Sequence, residues 1–132
     1  MVCRCHAIGV LGLLTLLSAC APAAEPFLML SGPRDLIRIE VRDTRAEVVW
    51  SIEADEPKTL PAILYGEVPE GFVQLAPEPG TPPRPLVDRE PLVVRTTTLR
   101  REFTHYGFAR GPRGFQVNHS EMKNLSRAGL PP

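Results

Sequence analysis

Fifteen prolines are spread along this 132-residue chain, the first at Pro22 and the last at Pro132. Each removes a backbone donor and clashes with the preceding turn of a helix, so beyond residue 20 they argue against long helices. Between them the sequence alternates. In Asp35–Arg42, Ile37, Ile39 and Val41 point one way while Arg38, Glu40 and Arg42 point the other, the pattern of a half-buried strand. Glu47 to Glu53 repeats it, with Val48, Trp50 and Ile52 on one face. Asp43-Thr44-Arg45 turns the chain between them, so the two runs predict an antiparallel hairpin. The single tryptophan, Trp50, falls on its inward face as a core anchor. The prediction is an all-β, antiparallel sandwich of about seven strands.

The remaining segments fit that class. Phe27-Leu28-Met29-Leu30 makes a first short strand, ended by Ser31-Gly32-Pro33. Ala54 to Thr59 reads as a solvated acidic loop, because it lacks the regular oxygen spacing of a calcium loop. Leu60–Val68 is a strand region, Pro69-Glu70-Gly71 a turn, and Phe72–Leu75 another strand. Pro77 to Pro91 holds six prolines and favours polyproline II. Its PxxP patterns are read as a stiff crossover between two sheets rather than a docking motif. Leu92–Leu99 and Glu102–Arg110 are strands, the second with a bulge near His105–Tyr106 and Gly107 adding freedom. Gly111-Pro112-Arg113-Gly114 turns into a last strand through Phe115, Val117 and His119. Ser120 then stands where it would cap a short helix through Met122 and Leu125.

The N-terminus sets the address. Arg4 precedes Ala7–Leu17, eleven uncharged residues, which is the length of a signal-peptide apolar region and short of the roughly 20 that span a bilayer. Leu17-Ser18-Ala19-Cys20 follows and resembles the lipobox of bacterial lipoproteins. The resemblance implies cleavage before Cys20, a diacylglyceryl thioether on its sulfur and acylation of the new amine. Cys3 and Cys5 would leave with residues 1–19, so the remaining 113 residues keep Cys20 alone. Acyl chains contribute about 0.8 kcal/mol per buried methylene, and two or more hold stably. Ala21 rather than Asp follows the cysteine, which the lipoprotein pattern associates with an outer-membrane anchor facing the periplasm. Residues 20–26 form a proline-stiffened tether of about 20 Å at ~3.3 Å per residue. Residues 27–119 would be the folded domain and 120–132 a tail or short helix.

Net charge is zero but uneven: residues 20–83 carry a net of −6 and residues 84–132 a net of +5. One reading makes the second half an anion-binding face; the preferred one pairs the halves within the fold. No nucleic-acid partner, cofactor or metal is expected. His105 and His119 fall on the two arms of the last hairpin, and with Glu102 they make a weak candidate zinc set. Their spacing lacks HxH or HExxH. No serine has a Gly-x-Ser-x-Gly setting, and no catalytic activity is expected.

Two further resemblances concern the domain. Glu47-Val48-Val49-Trp50, Ile63-Leu64-Tyr65-Gly66 and Pro85-Leu86 to Val93-Val94-Arg95 resemble the strand pattern of fibronectin type III domains. That implies an Ig- or fibronectin-like sandwich with the tryptophan packed beneath later strands. The tyrosine usual near the Val-Arg strand has no counterpart in Leu92-Val93-Val94. Tyr65 to Phe72 resembles a stretch in small bacterial envelope proteins that have no assigned activity. Together these features predict a lipid-anchored envelope protein serving as a protein-binding or accessory module. The alternative is a periplasmic ligand- or inhibitor-binding lipoprotein. Tyr65, Tyr106 and Arg84 are the candidate binding surface and Cys20 the lipidation site. The partners implied are the bilayer and an envelope protein.

Overall fold

The computed structural model describes residues 25–30 and 35–125. The lipobox with Cys20, most of the tether, the Ser31-Gly32-Pro33 turn and the Ala128–Pro132 end lie outside the described residues. Among the described residues eight strands follow in order: β1 (Leu28–Met29), β2 (Leu36–Arg42), β3 (Val48–Lys58), β4 (Ala62–Ile63), β5 (Phe72–Ala76), β6 (Pro91–Thr98), β7 (Arg101–Arg110) and β8 (Gly114–Asn124). They form two antiparallel sheets, one of six strands ordered β5-β3-β2-β6-β7-β8 and one of two, β1-β4. The fold is all-β and consistent with a sandwich, and the division between the sheets is uneven. Among the described residues no helix is long and apolar enough to cross a membrane.

The hairpin expected from the two alternating runs is β2–β3, with Val41 opposite Trp50 and Ile39 opposite Ile52. On its other side Val41 faces Val94 and Ile39 faces Thr96. These inward residues are fully buried, each apolar one contributing about 1.5–3 kcal/mol. Phe27, Leu28 and Ile63 from the small sheet join the same cluster, as does Leu86. Tyr65 stands between Trp50 and Phe27, with ring centroids 5.4 Å from each. Phe27 stacks on Phe115 at 5.1 Å, so the chain enters the domain beside the β7–β8 turn. Glu25 and Pro26 line a hollow there with Arg110, Gly111 and Gly114.

Five expectations are corrected. Ala54–Lys58 is strand, not loop: Ala54 pairs with Phe72, and Lys58 with Leu36. The register jumps between Leu36 and Arg38, so Pro57 lies in a bulge and deprives the ladder of no donor. The expected strand Leu60–Val68 shrinks to Ala62–Ile63. Glu67 N–H donates to Leu64 O at 3.1 Å, closing a turn with Gly66 at φ +83°, a left-handed position that suits glycine. The proline-rich segment joins β5 to β6 within one sheet, passing β3 and β2, rather than joining two sheets.

The last two corrections concern the C-terminus. Ser120 caps no helix; β8 continues to Asn124, with Ser120 opposite His105 and Met122 opposite Phe103. A ladder to β7 satisfies the backbone, whereas a short helix with one apolar pair gains too little packing to form. The bulge expected within Glu102–Arg110 lies instead on its partner: β7 pairs with β6 without a break, and β8 bulges opposite Tyr106 and Gly107. Tyr106 pairs with His119 and Gly107 with Val117, leaving Asn118 as the extra residue. A Cβ on Gly107 would lie 1.8 Å from the carbonyl oxygen of Gln116, so only glycine fits.

Candidate functional site

The β2–β3 turn is locally determined. Asp43 Oδ1 accepts from the backbone N–H of Arg45 (2.9 Å) and of Glu47 (3.1 Å), the self-capping habit that favours aspartate in turns. Asp43 and Thr44 line two shallow hollows, one on either side of this turn. The first, about 700 Å³, includes Val48, Pro77, Pro82, Arg84, Val87 and Glu90. The second, about 490 Å³, is lined by Arg42, Pro91, Leu92, Val93, Tyr106 and Asn118.

Arg84 and Glu90 organise the first hollow. The guanidinium meets the carboxylate with Nη1–Oε1 at 2.8 Å and Nη2–Oε2 at 3.0 Å, a fork-to-fork pair. Glu90 Oε1 also accepts from Val87 N–H at 2.6 Å. The hydrogen bond from Arg84 holds the Glu90 carboxyl below its usual range, against an opposing burial effect and with help from Val87 N–H. Asp43 Oδ2 approaches Arg84 Nη2 at 3.8 Å. The cation is therefore already engaged by two carboxylates, and its sequence neighbours gave no sign of either.

Tyr65 is tied to this cluster from beneath. Its hydroxyl donates to Arg84 O at 2.9 Å. Its own carbonyl accepts from Arg113 Nε (3.2 Å) and Nη2 (2.9 Å). Burial pushes the phenol up to about 12, with Arg84 lowering it and Glu90 raising it. A buried phenol bonded to a carbonyl keeps its proton and has no base beside it. Only 3% of Tyr65 is exposed, so its ring belongs to the core rather than to the floor of the hollow.

Tyr106 lies across the turn, in the second hollow. Its ring stacks on His119 with centroids 6.0 Å apart, and its hydroxyl donates to Glu121 Oε2 at 3.4 Å. The structure thus joins Tyr65 to Arg84 and sets Tyr106 apart from both. His105 and His119 diverge, being on adjacent ladder rows and so on opposite faces. His105 Nδ1 lies 2.8 Å from Ser120 Oγ, and His119 Nε2 lies 3.4 Å from Glu121 Oε1. Among the described residues no three His, Cys, Asp or Glu side chains are grouped to hold a metal.

No family model, curated protein or solved structure matches the chain. Whatever it binds has to be read from its own chemistry. Sequence reasoning missed Gln74, Glu90, Asp43 and Arg113. Two of them carried a local signal: Gln74 shares the inward parity of Phe72, and Asp43 heads the expected turn. The preferred pairing of the acidic and basic halves occurs at Arg84–Asp43 and at Arg113–Glu67 (3.5 Å). Glu40, buried on the outer sheet face, is held by Arg38 and Arg42.

Proposed function

We propose that the protein is a lipid-anchored envelope protein that acts as a protein-binding or accessory module. Cys20 is its attachment point, and its place is the periplasmic face of the outer membrane. The observation that carries the module reading is the pair of open hollows flanking a rigid, self-capped turn. Their lining mixes proline, aliphatic and charged side chains, which suits the rim-and-patch chemistry of a protein partner. The Arg84–Glu90 clamp keeps the proline-rich wall of the first hollow in place, and Tyr106 with its cross-strand neighbour Val93 offers an apolar contact in the second. No catalytic step is assigned to either hollow.

The attachment is tested by feeding labelled palmitate to cells that make the native protein or Cys20→Ala. Label in the native protein alone supports lipidation; equal labelling of both refutes it. The module reading is tested by photo-crosslinking from Thr44 and Val87, which edge the hollows, in intact membranes. One discrete adduct with an envelope protein, lost on Tyr106→Ala or Arg84→Ala, supports it. Adducts that survive both substitutions refute it.

A further inference from the structure

β8 is an eleven-residue edge strand, exposed from Gln116 to Asn124. Among the described residues no strand pairs with its outer edge. Such an edge presents a row of unpaired donors and acceptors that templates another strand. Leu125 N–H donates to Arg100 O at 2.9 Å, so alternation turns the backbone groups of Lys123 and Glu121 toward β7. Those of Asn124, Met122 and Ser120 then face outward. The Asn118 bulge interrupts the strand, and the unbroken register runs from His119 to Asn124.

We propose that this edge pairs antiparallel with the same edge of a second copy, about a two-fold axis at Met122. Antiparallel pairing joins residues of like backbone orientation, so the axis must pass through a residue and not between two. An axis at Glu121 or Lys123 would set identical charges opposite each other, which is destabilising. An axis at Ser120 leaves Lys123 opposite Val117 of the second copy. At Met122, Glu121 of each copy faces Lys123 of the other, twice, by the symmetry of an isologous contact.

The outer sheet face continues that match beyond the edge. Across one copy the ladder sets Arg38, Thr97, Glu102 and Lys123 in a row. A second row holds Glu40, Arg95, Thr104 and Glu121. Arg95 already reaches Glu102 at 3.5 Å. Pairing at Met122 joins the first row to the second row of the other copy. Charge then alternates along the whole line, plus at Arg38, minus at Glu102, plus at Lys123, minus at Glu121, plus at Arg95 and minus at Glu40. On the opposite face the half-exposed Met122 side chains (53%) meet at the axis. A lysine on an edge ordinarily discourages pairing; here Glu121 supplies its complement in the second copy. The inference is independent of the lipid anchor.

The test is sedimentation velocity on the full chain in detergent, with circular dichroism to confirm β structure in each variant. The native protein is expected to dimerise. Lys123→Glu and Glu121→Lys should each weaken the dimer by about tenfold or more, since both contacts become repulsive. An equimolar mixture of the two should recover a heterodimer, and the double exchange Glu121→Lys/Lys123→Glu should dimerise like the native chain. A native protein that stays monomeric overturns the proposal. So do single variants that dimerise unchanged, or a mixture and a double exchange that both stay apart.

Discussion

Trp50 and Gln74 share one hydrogen bond in the core, the indole Nε1–H donating to Gln74 Oε1 at 3.3 Å. The other end of the same amide shares its two N–H donors among the carbonyls of Pro77, Glu78 and Thr81, at 3.1, 3.1 and 2.7 Å. One buried side chain thus joins the sheet to the proline-rich segment that walls the first hollow. Gln74→Ala should cost about 1–3 kcal/mol, because it orphans the indole N–H and takes a donor from the Pro77 and Thr81 carbonyls, while Glu78 O keeps the N–H of Thr81. Urea unfolding followed by tryptophan fluorescence measures this, and a loss below about 1 kcal/mol would refute the shared-amide account.

Gly107→Ala should open the last hairpin. The added methyl has no room against the Gln116 carbonyl, and backbone can yield only by breaking ladder bonds, at a cost of about 1–3 kcal/mol. Amide hydrogen exchange should quicken along β8 while β2 and β3 keep their protection. Unchanged exchange in β8 would contradict the packing at the bulge.

Alkaline stability follows from Tyr65. Its folded phenol titrates at about 12 against 10.0 for an ordinary tyrosine. The unfolded chain therefore loses this proton first, and stability present below pH 10 falls as pH rises toward 12. The loss from this group is about 2–3 kcal/mol. Tyr65→Phe should remove that slope and cost about 1 kcal/mol at neutral pH through the lost bond to Arg84 O. Denaturation curves at pH 8, 10 and 11.5 discriminate the two proteins, and parallel slopes would count against it.

The acid limb belongs in part to Glu90. Its lowered carboxyl contributes stability above the ordinary carboxylate range, and that contribution disappears as pH falls through its folded value. Arg84 is partly exposed, so solvent screens the pair and Glu90→Gln should cost under about 1 kcal/mol at pH 7. The variant should lose less stability than the native protein between pH 6 and pH 3. Equal acid sensitivity would mean that other carboxylates govern the limb.

Where alternation carried the information, the chain was readable. The β2–β3 hairpin, the inward Trp50 and the Asp43 turn all follow from parity and turn chemistry, which are local. The extension of β3 through Ala54–Lys58 did not follow, because its acidic composition imitates a loop while the partners that order it, Phe72 and Leu36, are remote. Ser120 misled for the same reason: a capping residue is a local signal, and the β7 ladder that overrides it is not. The site was legible only in outline. Tyr65 and Arg84 do meet, but the carboxylates that engage Arg84 come from a turn some forty residues earlier and from a strand entrance, neither marked by spacing.

The stacking of Phe27 on Phe115 fixes which end of the domain an anchor at Cys20 would hold down. Held by its N-terminal side, the β7–β8 turn would be the lower end of the molecule, within the tether's reach of about 20 Å. β8 would then rise away from the bilayer, and Met122, seven residues beyond Phe115, would stand about 23 Å higher at ~3.3 Å per residue. Two anchored copies joined at Met122 would have to bring their anchors to opposite ends, because antiparallel strands run in opposite directions. Attachment and self-pairing would therefore compete on one membrane or span the gap between two surfaces, and the height of this edge above the lipid would decide between them.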